Sequence, residues 1–338
     1  MAPALAVAEA LRARGVAVTF AGSRDRVEAR LVPERGYAFD AFAVSGFPRR
    51  PGLGLVRALA LAAAAPAACA RILARRRPDV VLGAGGYVAG PMVLAARLRG
   101  IPAALTEADA HLGLANRLAA PFARRVFLAL PVGREQRKFR VVGRPIPSLS
   151  QAAPRPEARE RLELPADGPV VLVFGGSLGS QVLNDAAVEA WGEDGPAVLH
   201  LCGERDYERL RARVSRPGYR LLPFIDEVGL AYGAADVAIA RAGGSVWELA
   251  AAGLPAVLVP GEFATGGHQE KNARWFERAG GAVVVPEAEA ARAAEVVTEL
   301  LADPERLAAM AAAMRAAARP DAAEVIADEL VSLAAARR

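Results

Sequence analysis

Gly175-Gly176-Ser177-Leu178-Gly179-Ser180 lies between an apolar run, "PVVLVF", and a helical pattern, "QVLND". Glycines in that position let the backbone approach an anion closely, and the helix N-terminus that follows offers free N–H groups and a partial positive charge. Ser177 adds a hydroxyl donor. The same residues also make a tight strand-to-helix turn that needs no ligand, and both readings fit the local sequence.

Four further stretches carry residue types able to do chemistry. "GAGGYVAGP" (83–91) turns sharply after an apolar strand and projects Tyr87. "TEADAHLGLANR" (106–117) places Glu107 and Asp109 where a strand ends; a carboxylate there orients a sugar hydroxyl or accepts its proton, or Asp109 caps the next helix. In "ARAGGSVWELAAAGLP", Gly243 precedes a largely apolar helix carrying Glu248, whose carboxylate suits paired ribose hydroxyls or simply faces solvent. In "ATGGHQEKNARWF", His268, Gln269 and Asn272 open a helix, with the two amides three residues apart on one face. Amides both donate and accept, as sugar hydroxyls require, and polar residues of this kind are equally ordinary at helix starts.

The sequence has no Asp-x-Asp tripeptide, and Cys69, Cys202, His111, His200 and His268 show no metal-ligand spacing. We therefore expect no metal and no cofactor. The charge of a leaving diphosphate then falls to the glycine loop and the helix dipole.

The elements that must position these residues follow from periodicity. Apolar strands "VAVTFAG", "DVVLGAG", "PAALTEA", "RVFLAL" and "FRVVG" alternate with helices in the first half, the longest from about Leu55 to Arg76. "PVVLVFGG", "AVLHLCG", "YRLLPF", "DVAIAR", "PAVLVP" and "GAVVVP" do so in the second. Strands apolar throughout, separated by helices, predict two doubly wound parallel sheets, an α/β fold with ligands in a cleft at the carboxyl ends of the strands. The expected division is 1–147, a Pro-rich hinge at 148–157, and 158–319, with a final helix at 320–338 packing back on the first domain.

At 53% apolar and 23% charged residues the chain has ample material for two cores. No run of 18 uncharged apolar residues predicts a membrane span, and no secretory leader is expected. Lys138 and Lys271 are the only lysines behind the net charge of +5, so the excess is arginine. It reads either as compositional bias or as attraction to phosphates and anionic headgroups; nucleic acid is not expected, since no basic stretch is interleaved with aromatics. The two halves also differ at their starts. The second opens strand, glycine loop, helix, whereas the first opens on the helix "PALAVAEALRARG", so its strand and loop are expected ahead of Met1.

Taken in order, "PALAVAEALRARG", "PDVVLGAGGYVAGP", "GLANR", "FGGSLGSQVLN", "FIDE", "ELAAAGLPAVLVP" and "HQEKNA" resemble the MurG family of glycosyltransferase family 28. The resemblance implies a GT-B fold and inverting, metal-independent transfer of N-acetylglucosamine from UDP-GlcNAc to the muramyl 4-hydroxyl of undecaprenyl-linked lipid I. It assigns Gly176, Ser177 and Gly179 to the diphosphate, with Asn184 in support and Phe224 and Ile225 at the uracil. Gly243 and Glu248 fall on the ribose side, and His268, Gln269 and Asn272 on the sugar. Tyr87 and Asn116 face the acceptor, and Glu107 is the candidate base among the residues present, the family's favoured base being the His of a loop ahead of Met1. The family sits on the inner, cytoplasmic face of the cell membrane through an apolar patch ringed by basic residues, with cell-wall synthesis and division proteins as partners; residues 46–77, apolar and flanked by arginines, read either as the counterpart of that patch or as a buried helix with a solvated arginine end. The sequence departs from the family at Thr106-Glu107-Ala108-Asp109, at Gly143-Arg144-Pro145-Ile146-Pro147, and in a shortened run before Glu248. Those departures keep open another UDP-sugar transferase, a UDP-sugar 2-epimerase, or a donor-binding remnant.

Overall fold

The computed structural model describes the chain apart from residues 46–51, 110–111, 133–136, 177, 263–266 and 338 and the side chains of 53–57 and 59. The chain divides into two compact units, Met1–Pro147 with Pro320–Arg338, and Ser148–Arg319.

In chain order the first unit contains α1 (Ala2–Ala13), β1 (Thr19–Ser23), α2 (Glu28–Glu34), β2 (Ala38–Phe42), α3 (Leu53–Arg76), β3 (Val81–Gly83), α4 (Gly86–Leu98), β4 (Ala103–Glu107), α5 (Leu114–Ala119), β5 (Arg125–Leu128) and β6 (Phe139–Val141). Its strands are parallel and fall into two sheets among the described residues, β1–β2 and β3–β4–β5–β6. β2 is a strand that the apolar-run criterion does not find, because "AFDAF" carries a charge at its centre. Asp40 is tolerated there because Arg75 and Arg76, at the end of α3, pair with it. The Arg76 hydrogen bond holds its carboxyl below the usual carboxylate range.

The second unit contains α6 (Arg155–Arg161), β7 (Val170–Phe174), α7 (Gln181–Trp191), β8 (Ala197–Leu201), α8 (Glu204–Arg211), β9 (Tyr219–Leu222), α9 (Val228–Ala234), β10 (Val237–Ala240), α10 (Ser245–Ala252), β11 (Ala256–Leu258), α11 (His268–Arg278), β12 (Ala282–Val284), α12 (Arg292–Leu301) and α13 (Pro304–Ala317). Its described strands form one parallel sheet in the order β12-β11-β10-β7-β8-β9. β7 is buried at all five positions, as an apolar central strand covered on both faces should be. One face of this sheet packs on Leu183, Val188 and Trp191 of α7 and Val297 and Leu300 of α12.

The chain returns to the first unit as α14 (Ala322–Ala335). Its amphipathic face sets Ile326, Ala327 and Leu330 against Ala6, Val7 and Ala10 of α1 and Phe127 of β5. Arg14 pairs with Glu324 and Asp328, and Arg125 and Arg140 pair with Glu329, so the rim of this contact is ionic.

Arg159, 3% exposed, ties α6 to the second unit's sheet. Its guanidinium donates to the carbonyls of Ala234, Pro165 and Ala166 and to Asp236 Oδ2 at 2.9 Å, an atom that also accepts from Val170 N–H at the start of β7. Removing the carboxylate strands a buried cation. We expect Asp236→Ala to destabilise the second unit by about 3–5 kcal/mol, measured by denaturant unfolding, and a loss under about 1 kcal/mol would refute this account.

Candidate functional site

In the second sheet, β8 lies on one side of β7 and β10 on the other, so the connections leaving β7 and β10 run in opposite directions. The carboxyl ends of these strands form a topological switch point, where open parallel sheets bind ligands. The glycine loop leaves β7 here. Gly176 and Gly179 have φ of +89° and +73°, values that favour glycine. A Cβ on Gly179 would lie 2.1 Å from the Cys202 carbonyl oxygen, so the loop rests directly on the backbone at the end of β8. Ser177 lies outside the described residues.

Arg241, which closes the apolar strand pattern of β10, joins both sides of the switch point. Its Nε donates to Ser180 Oγ at 3.0 Å, one guanidinium nitrogen donates to the Val259 carbonyl at 3.1 Å, and the other pairs with Glu287. Burial acts to raise the Glu287 carboxyl, but the Glu262 N–H and Arg241 outweigh it and hold the group below its usual range. Sequence reading missed Arg241; a cation ending an otherwise apolar strand is the signal that would have found it.

Glu248, on the first turn of α10, is 9% exposed and accepts from Tyr232 Oη at 2.7 Å. Tyr232 was also missed, because it sits within an apolar helix pattern and meets Glu248 only in the fold. Next to them, Gly243 has open space where a Cβ would be. Gln269 Oε1 accepts from Gly261 N–H at 2.8 Å, which fixes the start of the loop between β11 and α11. His268 is the first residue of α11 and half-buried. Asn272, only 1% exposed, donates to the Ala242 carbonyl at 3.2 Å and so supports the turn before α10 from beneath. Asn184 is fully buried under the glycine loop. Phe224 is exposed and Ile225 half-buried in the segment after β9.

The first unit gathers Tyr87, Glu107 and Asn116 at the carboxyl ends of the neighbouring strands β3 and β4. Tyr87 Oη accepts from Arg26 Nε at 3.0 Å. The Glu107 carboxylate accepts from the N–H groups of Ala108, Asp109 and Gly113 and from Asn116 Nδ2. Asn116 is buried and also donates to the Thr106 carbonyl at 2.9 Å. Glu107 is thus the organiser of its own loop. The expected patch at 46–77 begins in 46–51, outside the described residues.

Burial pushes the Cys202 thiol up to about 11, so at neutral pH it is no nucleophile beneath the loop. Among the described residues no cluster of three or more His, Cys, Asp or Glu side chains could hold a metal ion.

Two parallel-sheet α/β units, one carrying a glycine loop and a buried carboxylate at its switch point, are the build of a GT-B glycosyltransferase. The chain belongs to glycosyltransferase family 28 and, within it, to the MurG group: the family's N-terminal domain matches residues 1–128 and its C-terminal domain residues 170–326. It is 42% identical to the UDP-N-acetylglucosamine--N-acetylmuramyl-(pentapeptide) pyrophosphoryl-undecaprenol N-acetylglucosamine transferase of Acidithiobacillus ferrooxidans, over 98% of this chain and 94% of that one. The enzyme of the same name from Salinibacter ruber is 40% identical, over 98% and 93%. The crystal structure of Acinetobacter baumannii MurG superposes with a TM-score of 0.76 at 30% identity, covering 98% of this chain and 95% of that one. A UDP-GlcNAc 2-epimerase from Neisseria meningitidis, 13% identical with a TM-score of 0.64 and covering 98% of this chain and 96% of that one, shares the fold alone.

The Tyr232–Glu248 contact generates a direct test. A hydrogen bond to a carboxylate is worth about 1.5–3 kcal/mol, so Tyr232→Phe, which keeps the ring, releases the Glu248 carboxylate; with Glu248 on the ribose, as the family resemblance implies, UDP binding should weaken roughly tenfold by titration calorimetry. Unchanged affinity would detach Glu248 from the nucleotide.

Proposed function

We propose that this chain transfers N-acetylglucosamine from UDP-GlcNAc to the 4-hydroxyl of the muramyl sugar of undecaprenyl-pyrophosphoryl-MurNAc-pentapeptide. The observation that carries the reading is the glycine loop seated on the Cys202 carbonyl at the switch point, with Glu248 on the adjoining helix. The names of relatives 40–42% identical over nearly the whole chain support the choice of donor and acceptor.

In this mechanism the diphosphate lies on the N–H groups of the loop and at the N-terminus of α7, which take up the negative charge that grows as the bond from sugar C1 to phosphate breaks. Ser177 adds its hydroxyl, and Phe224 and Ile225 flank the uracil. Glu248, oriented by Tyr232, accepts from the ribose hydroxyls. His268 and Gln269 address the N-acetylglucosamine. Asn184 and Asn272 act from below by holding carbonyls, and Arg241 keeps the loops after β7 and β11 in register. The acceptor hydroxyl oxygen attacks C1 from the face opposite the phosphate, inverting the centre; UDP leaves with the electron pair of the C1–phosphate bond, and the hydroxyl proton passes to solvent. Tyr87 lies on the acceptor side, where Glu107 and Asn116 shape the loop; Glu107 is committed to its own N–H groups and serves the acceptor through that loop. No divalent cation takes part.

Purified protein should release UDP from UDP-GlcNAc when lipid I is supplied, at the same rate with and without excess EDTA. UDP release with another acceptor but not with lipid I would overturn the acceptor assignment; loss of activity in EDTA would overturn the metal-independent mechanism.

The enzyme would work on the cytoplasmic face of the cell membrane, beside cell-wall synthesis and division proteins. No described helix is long and apolar enough to cross a membrane. Leu114 and Leu118, one turn apart on α5 and each 65% exposed, with Phe122 beyond and Arg117 and Arg124 nearby, supply an apolar and basic surface in support of peripheral docking. Leu114→Ser with Leu118→Ser should cut co-sedimentation with vesicles containing anionic lipid by about tenfold. Undiminished binding would remove α5 from the docking surface.

A further inference from the structure

His200 belongs to none of the roles assigned above. It lies on β8, between Val173 of β7 and Leu221 of the edge strand β9, and is fully buried. Its Nδ1 lies 2.8 Å from Tyr219 Oη and its Nε2 3.0 Å from Asn184 Oδ1. The proton positions follow from the partners. Asn184 Nδ2 is 2.9 Å from the Cys202 carbonyl oxygen, which can only accept, and 2.9 Å from Asp206 Oδ2. The amide NH2 therefore faces Cys202, and Oδ1 faces the imidazole. Because Oδ1 can only accept, Nε2 carries the proton. Nδ1 is then a lone pair, and Tyr219 donates to it.

This chain of bonds ends on the group that seats the glycine loop. A Cβ on Gly179 would meet Cys202 O at 2.1 Å, and one on Gly203 would meet Gly179 N at 2.8 Å. The Cys202–Gly203 backbone and the loop are thus in direct contact, and a small displacement of the carbonyl displaces the loop. Asn184 also belongs to α7, the helix the loop leads into. The network therefore grips the loop on both flanks, from β8 through Cys202 and from α7 through Asn184.

We propose that His200 is a positioning residue which, through Asn184, fixes the Cys202 carbonyl and so holds the glycine loop in the shape that receives a nucleoside diphosphate. The inference rests on the reading of that loop as the UDP site. A phenyl ring would fill the same space, but apolar packing permits several arrangements of Asn184 where the imidazole permits one. Burial pushes the His200 imidazole down to about 3, which keeps the ring neutral and its donor and acceptor ends unchanged at neutral pH.

The test compares His200→Phe with His200→Gln in the full chain, at a temperature where circular dichroism shows each fully folded. His200→Phe leaves Asn184 Oδ1 buried without a donor, whereas the Gln amide can restore one. We expect His200→Phe to weaken UDP binding and raise KM for UDP-GlcNAc about tenfold, to change kcat and the acceptor KM by less than about threefold, and to be largely rescued in His200→Gln. A lowered Tm with unchanged UDP affinity and donor KM, or no rescue by Gln, would overturn the proposal and leave His200 a core residue. Should His200→Phe not fold, Tyr219→Phe is read the same way, with a loss of about threefold expected and none overturning. If the wild-type protein binds no UDP, the donor reading itself fails. The network is then tested by amide exchange of Gly176–Ser180, which the variant should accelerate about tenfold if His200 holds the loop and leave unaltered if it does not.

Discussion

β7 constrains everything around it in the second unit. All five of its residues are buried, and its backbone is claimed by β8 on one side and β10 on the other. A strand so enclosed has no free donor or acceptor along its length, so the first backbone groups able to meet a ligand are those freed where the chain leaves the sheet. That exit falls between connections running in opposite directions. The turn must therefore clear the end of β8, and it does so with a glycine lying on the Cys202 carbonyl. The composition and backbone conformation of the loop are consequences of one packing constraint.

The polar residues around this loop divide by burial into two kinds. Gln269 and His268 keep part of their surface exposed at the start of α11. Asn184 and Asn272 are 0% and 1% exposed, and each amide nitrogen donates to a main-chain carbonyl, as the amide of Asn116, 3% exposed, does separately in the first unit. A buried amide without such partners would be costly, so its position is set by the loop it holds. In a one-dimensional reading both kinds look like residues suited to sugar hydroxyls, since the side chains are chemically the same.

The same distinction explains what was legible in the sequence. The apolar runs of β7, β10 and β11 announce themselves, because strands buried on both faces have no polar positions to disguise them. β2 does not, because its central Asp40 depends on arginines at the far end of α3. The glycine loop and Glu248 are found from local context. Tyr232, Arg241 and His200 are not, because the partner that gives each its meaning lies 16 residues or more away: Glu248 for Tyr232, Ser180 for Arg241, Asn184 and Tyr219 for His200. Periodicity reports the environment of an element; it carries no information on which side chains meet across a sheet.

Glu107 shows how such meetings alter a chemical assignment. By position, at the end of β4, it is well placed to take a proton from an acceptor hydroxyl. A general base must direct a lone pair at the proton it removes. Three backbone N–H groups and the Asn116 amide already occupy both oxygens of this carboxylate. Pulling one oxygen free would leave Gly113 or Ala108 N–H unpaired and loosen the segment leading into α5. The carboxylate is therefore the fastener of its loop, and its conservative replacement by Gln, which offers one acceptor oxygen in place of two, disturbs that loop.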